Sequence, residues 1–168
     1  MHELRAVAMF LLEHRVAALG ARDLPLVERF LRESRSWAYL DWLCFKVVAP
    51  MLVRVPAVRR KVAKWSRDDD FWMRRAALLT LLPGLKAGEI PFSAFEAIAV
   101  PMLGEREFFI RKALGWSLRE IGKRKPADVA AFLRAHRDTV SGLTRREAVK
   151  YLPPRLHAGL VGPGARRA

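Results

Sequence analysis

The residues best placed to do chemistry lie in one short run, Lys64-Trp65-Ser66-Arg67-Asp68-Asp69-Asp70-Phe71-Trp72-Met73-Arg74-Arg75. Three carboxylates precede an apolar helical segment and are flanked by tryptophans. One aspartate suffices to cap the helix, because a carboxylate accepts from the free backbone N–H groups and suits the positive end of the helix dipole. The other two exceed what a cap requires. A carboxylate beside aromatic rings can stabilise a developing cation and orient a water. One of Asp68, Asp69 and Asp70, together with Trp65, is therefore the candidate catalytic group. A fourth acid, Asp41, sits in the apolar stretch Trp37–Phe45. A charge there must be paired or face a cleft, and an ion pair with an arginine of the next repeat is the expectation.

Two further segments carry cations. In Arg106–Glu120, residues Ile110, Ala113, Leu114, Ser117 and Leu118 form an inward stripe, whereas Arg111, Gly115, Arg119 and Lys123 recur every four residues on another face. Gly115 between two arginines admits close approach of a phosphate or of a neighbouring backbone. Arginines on such a stripe suit bidentate phosphate contacts, against the alternative of a solvated basic face. In Thr144–Tyr151, Thr144 and Glu147 have capping-box spacing, and Arg145, Arg146 and Lys150 extend the basic surface. Tyr151 either stacks on a sugar or base or packs. Arg75 and Lys112 complete the candidate set of phosphate-binding residues. His2, His14, His136 and His157 have no metal-ligand spacing, so neither metal nor cofactor is expected. Cys44 reads as inert core.

These residues must be positioned by helices. Apolar residues recur at intervals of three and four, with no strand pattern, and Pro and Gly fall at regular breaks. Helices are predicted near 2–19, 23–34, 36–50, 56–66, 70–82, 91–102, 105–123, 126–137 and 143–152. Similar segments (SWAYLDWLCF, FWMRRAALLTLL, FFIRKALGWSL, LTRREAVKYL) recur with a period of about 35–37 residues, close to that of two-helix HEAT or armadillo repeats. Each pair buries its apolar face only against its neighbours. The predicted fold is all-α, with HEAT-like two-helix repeats stacked in a curved right-handed solenoid. A single domain over 1–155 is followed by a flexible basic tail, 156–168.

Composition narrows the function classes. Of the 168 residues, 31 are Lys or Arg and 17 are Asp or Glu, a net charge of +14, which points to a polyanionic partner. No apolar run reaches the roughly 18 residues of a membrane span, and the N-terminus lacks signal-peptide order. One cysteine excludes an internal disulfide framework and fits a reducing, cytoplasmic setting.

Together, WSRDDDFWMRRAAL, REFFIRKALGWSLREIGKRKP, SGLTRREAVKYL and SWAYLD resemble the AlkD-type DNA alkylation repair family in order and over most of the chain. The resemblance implies a HEAT-like DNA glycosylase that removes cationic N3- and N7-alkylated purines from duplex DNA, without a metal and without flipping the base into a pocket. It implies that Trp65 is the cleft tryptophan, Asp69 the catalytic aspartate and Arg111 a DNA-contacting arginine, with Tyr151 the best match to a further cleft aromatic. It also implies that helices preceding this segment in the family are missing. A monomer acting on DNA that contains alkylated bases is the expectation. The alternative is a catalytically silent HEAT-repeat module that binds DNA or protein.

Overall fold

The computed structural model describes residues 2–157 and 159–160, so the tail from 161 onward lies outside the described residues. Helices, joined by short turns, account for most of those residues, and no strand occurs among them. The chain divides after Pro83 into two compact units.

In the first unit, α1 spans His2–His14 and α2 Leu24–Ser34. The turn between them closes where the Gly20 N–H donates to Asp23 Oδ2 at 2.8 Å. Pro25 occupies the first turn of α2, where a missing N–H costs nothing. Arg35, in the left-handed region at φ 36°, ends it. The predicted helix over 36–50 is instead α3 (Trp37–Leu43), a π-helical turn (Cys44–Val48) and α4 (Ala49–Arg54). Pro50 accounts for the difference. The helix widens before it, so that the Ala49 N–H donates to the Cys44 carbonyl five residues back, and the chain continues through the proline. Helix α5 (Pro56–Trp65) opens on its own proline. It buries Val58, Val62 and Trp65 with Val27 and Leu31 of α2 and Leu40 of α3 in the core of this unit.

Helix α6 runs from Phe71 to Ala87. The Pro83-Gly84 pair was expected to stop it, yet the stop comes at Gly88. There φ is 82°, the Gly88 N–H meets the Leu85 carbonyl and the Glu89 N–H meets the Gly84 carbonyl. This is the paired-bond ending that favours glycine in the left-handed position.

In the second unit, α7 (Phe92–Ala99) follows Pro91, and Phe92 and Phe95 gather around Phe132 of α9 (Pro126–Ala135). Helix α8 (Phe108–Gly122) is capped by the Glu107 carboxylate, which accepts from the Phe109 N–H. Helix α10 (Gly142–Ala148) packs on α8 and is capped by Ser141. The Ser141 hydroxyl accepts the Thr144 N–H at 3.1 Å. The capping box expected from Thr144 and Glu147 is therefore not what starts this helix.

Candidate functional site

The three consecutive aspartates have separate tasks. Asp70 caps α6, its Oδ1 accepting the Trp72 N–H at 2.9 Å. Asp68 receives both arms of Arg32 from α2, at 3.2 and 2.6 Å, and also accepts the Asp70 N–H. The Arg32 guanidinium holds the Asp68 carboxyl below its usual range, outweighing the opposing effect of burial. Arg32 also reaches Glu28, and Lys61 of α5 meets Glu28 at 2.7 Å. Asp69 is exposed. It lines an open depression of about 560 Å³ with Ala63, Lys64, Arg67 and Asp68.

Trp65 behaves differently from the expected sugar-contacting residue. It is 0% exposed and among the largest fully buried side chains. Its Nε1 lacks a hydrogen bond of regular geometry, although it helps to keep the nearby Glu28 carboxylate ionised. The ring is packed in the core of this unit and presents no surface to solvent.

A second pair with the same Trp-x-x-x-Asp spacing has the reverse exposure. Trp37, at the start of α3, is 57% exposed, whereas Asp41, one turn on, is buried. The Asp41 carboxylate is gripped by Arg75 of α6, Nε to Oδ1 at 2.9 Å and Nη2 to Oδ2 at 2.7 Å. The expected ion pair of Asp41 with an arginine is thus present, between α3 and α6. Arg75, expected among the DNA contacts, is only 4% exposed. Its place in α6 turns it inward beside Ala76 and Leu79, and its planar fork is matched to a carboxylate.

The cations of the second unit converge on one acid. Glu147 of α10 is buried, and its carboxylate accepts Lys112 at 2.9 Å, Arg119 at 2.8 Å and Lys150 at 3.0 Å. Burial pushes its pKa up, but hydrogen bonds from Lys112 and Lys150 prevail and hold it below the ordinary value. Gly115 serves the helix contact. A Cβ there would lie 2.6 Å from the Glu147 Cβ and 2.9 Å from the Thr144 carbonyl oxygen, so the approaching backbone is that of α10. The Thr144 hydroxyl reinforces the contact by donating to the Arg111 carbonyl.

The remaining expected contacts separate by exposure. The Arg111 side chain is half-buried, with its Nε unpartnered. Arg145 closes the end of the α9 segment by donating to the Arg137 and Val140 carbonyls. Arg146 is exposed. Tyr151 is 61% exposed, and Lys123 Nζ lies 4.9 Å from its ring centroid. Among the described residues no group of three His, Cys, Asp or Glu side chains could hold a metal ion, and no helix is long and apolar enough to cross a membrane.

The family model of the DNA alkylation repair enzymes matches residues 1–152. The chain belongs to that family. Membership of the DNA alkylation repair enzymes gives it a role in DNA repair, with DNA as the substrate. A solved structure described as a predicted DNA alkylation repair enzyme from Enterococcus faecalis has the same fold. The TM-score is 0.79 at 24% identity, over 90% of this chain and 70% of that one. No curated protein gives a significant match.

Among the described residues of this DNA alkylation repair enzyme, an acid neutralises Lys112, Arg119 and Lys150, whereas neither the half-buried Arg111 nor the exposed Arg146 meets one. Trp37 is the residue that sequence reasoning left out. Its signal was available, because Trp37-x-x-x-Asp41 repeats the spacing of Trp65 and Asp69. Only burial distinguishes the two pairs.

Proposed function

We propose that the protein is a DNA glycosylase acting on cationic N3- and N7-alkylated purines in duplex DNA, built from HEAT-like repeats. Family membership and the net charge of +14 support a DNA substrate. Hydrogen bonds linking residues 33 to 36 positions apart support the repeats, because that separation lies close to the sequence period of about 35–37.

The chemistry asks little of the protein. Alkylation makes the purine a cation, so the C1′–N bond breaks with its electron pair passing to the base, which leaves neutral without a strong general acid. The sugar left behind is an oxocarbenium-like cation. It needs a nearby carboxylate, and then a water to attack C1′ and release a proton.

The observation that carries the reading is the exposed Trp37 one turn from Asp41, whose carboxylate Arg75 holds in one orientation. Both Asp41 and Asp69 are candidates for the carboxylate, and solvent decides between them. At ~4 Å a unit charge pair is worth about 1 kcal/mol in water and about 4 kcal/mol at the effective dielectric of a protein. Asp69 stands in water above a buried Trp65, whereas Asp41 is shielded beside an exposed ring. Arg75 tempers the charge of Asp41 but fixes its position. We therefore assign the stabilising role to Asp41 and the sugar or base contact to Trp37, with Asp69 and Trp65 as the competing pair.

Release of 7-methylguanine and 3-methyladenine from methylated duplex tests this. The wild type is expected to release base. Asp41→Asn and the surface change Trp37→Ala lower the rate at least tenfold, while Asp69→Asn retains it. Melting curves verify that Asp41→Asn is folded, and Trp37→Ala reports on the same site without a buried change. Loss confined to Asp69→Asn restores the other pair. Salt-sensitive binding without any release by the wild type points instead to a silent DNA-binding module.

A further inference from the structure

The outer face of α5 carries a band of cations that the proposed reaction does not use. Arg59, Arg60, Lys64 and Arg67 are exposed, as is Ala63 among them. At 100° per residue these positions fall on one side of the helix and its following turn, opposite the buried Val58, Val62 and Trp65. The turn after the helix keeps the winding, since the Arg67 N–H donates to the Lys64 carbonyl. Lys64 and Arg67 line the open depression described above, with Ala63 as its short-side-chain gap.

Among the described residues none of the four has an ion-pair partner. This distinguishes them from their neighbours. Lys61, on the same helix, is bound to Glu28, and Arg32 is bound to Asp68 and Glu28. The contrast with the second unit is equally clear, where Glu147 neutralises Lys112, Arg119 and Lys150. The acid nearest the band without a cation is Asp69, at its end.

We infer that this face of α5 is a docking surface for the sugar-phosphate backbone of duplex DNA, separate from the expected contacts on α6, α8 and α10; the identity of the polyanion rests on the proposed function. The dimensions fit. From Arg59 to Arg67 the band extends about 12 Å at 1.5 Å per residue. One strand of duplex presents a phosphate every ~3.4 Å of axis, so roughly three phosphates lie along it. Long cations flanking an alanine give a phosphate both charge and room. Contacts of this kind carry no sequence preference, which suits an enzyme that must survey undamaged DNA.

The test is the salt dependence of binding to a short unmodified duplex, measured by fluorescence anisotropy between 50 and 200 mM salt. The variant carries Arg59→Gln, Arg60→Gln, Lys64→Gln and Arg67→Gln, all surface changes that melting curves can verify. Loss of about three phosphate contacts reduces the slope of log K against log salt by ~2.7, making the affinity lost over that range about 40-fold smaller than for the wild type. Asp69→Asn, which removes a repelling carboxylate at the end of the band, tightens binding. An unchanged slope in the fourfold variant overturns the inference, as does loss of binding to anionic vesicles with duplex binding intact. Base release by the wild type is scored separately. A normal excision rate with an unchanged slope rejects the docking face alone, whereas a reduced slope without any excision rejects the glycosylase reading and leaves the face standing.

Discussion

Replacing Glu147 with glutamine should move stability and DNA affinity in opposite directions. The substitution keeps the shape of the side chain and removes the charge on which Lys112, Arg119 and Lys150 converge. Arg119 is the most shielded of the three, and its charge-assisted hydrogen bond is worth about 1.5–3 kcal/mol. The two lysines are roughly half exposed, so solvent screening limits each to about 0–1 kcal/mol. The expected loss is about 2–4 kcal/mol, which for a chain of this size lowers Tm by roughly 4–16 °C. The pH dependence checks the cause. Glu147 is held below its ordinary value of 4.5 in the folded state, so its contribution is present above that value and disappears as pH falls through the lower, folded one. The gap in Tm between wild type and variant is therefore widest at pH 7 and closes in acid. At the same time three cations lose their acid, and duplex affinity and its salt dependence should both rise. Differential scanning calorimetry from pH 3 to 7 and anisotropy titrations on one preparation measure both effects. A Tm unchanged at pH 7, or a gap that persists undiminished at pH 3, would refute the role given to Glu147; weaker DNA binding would refute its role as a neutralising partner.

Two further substitutions or reagents probe the frame of each unit. Gly115→Ala improves helix propensity but drives a methyl against the Thr144 backbone, so a net destabilisation of about 1–3 kcal/mol is expected in urea denaturation, and a neutral or stabilising result would contradict the close contact of α8 and α10. Burial, aided by the nearby charge of Asp41, pushes the Cys44 thiol up to about 12. Native protein at pH 8 should therefore leave a thiol-reactive chromophore almost unconsumed until denaturant exposes one equivalent, and rapid native labelling would show the site to be open.

The helices were legible because their starts carry local chemistry, as at Pro25, Pro56 and Pro126. The same chemistry misled where tertiary packing overrode it. Pro50 is absorbed by a π-helical turn and Pro83 lies inside α6, neither of which a local rule anticipates. Surplus carboxylate in Asp68-Asp69-Asp70 was evident from the number of acids, but assigning Asp68 to Arg32 required α2 to be in place. Glu147 had the spacing of a capping residue and became an ion-pair centre, because Ser141 had already met the open N–H. Two Trp-x-x-x-Asp pairs look alike on paper. Which tryptophan faces solvent depends on what packs over it, and no count of neighbours along the chain contains that information.

The polar links of the fold also constrain how its length can vary. Arg32 to Asp68, Asp41 to Arg75 and Lys112 to Glu147 join residues 36, 34 and 35 positions apart. The second and third each join two helices, and one residue added inside a helix turns everything beyond it by 100°. An insertion within α3 or α6 would rotate Asp41 or Arg75 away from its partner, and one within α8 or α10 would do the same to Lys112 and Glu147. The connections between helices can absorb extra residues without such rotation. Length differences among natural variants of this chain should therefore collect in those connections, leaving the helical segments at constant length even where their residues change.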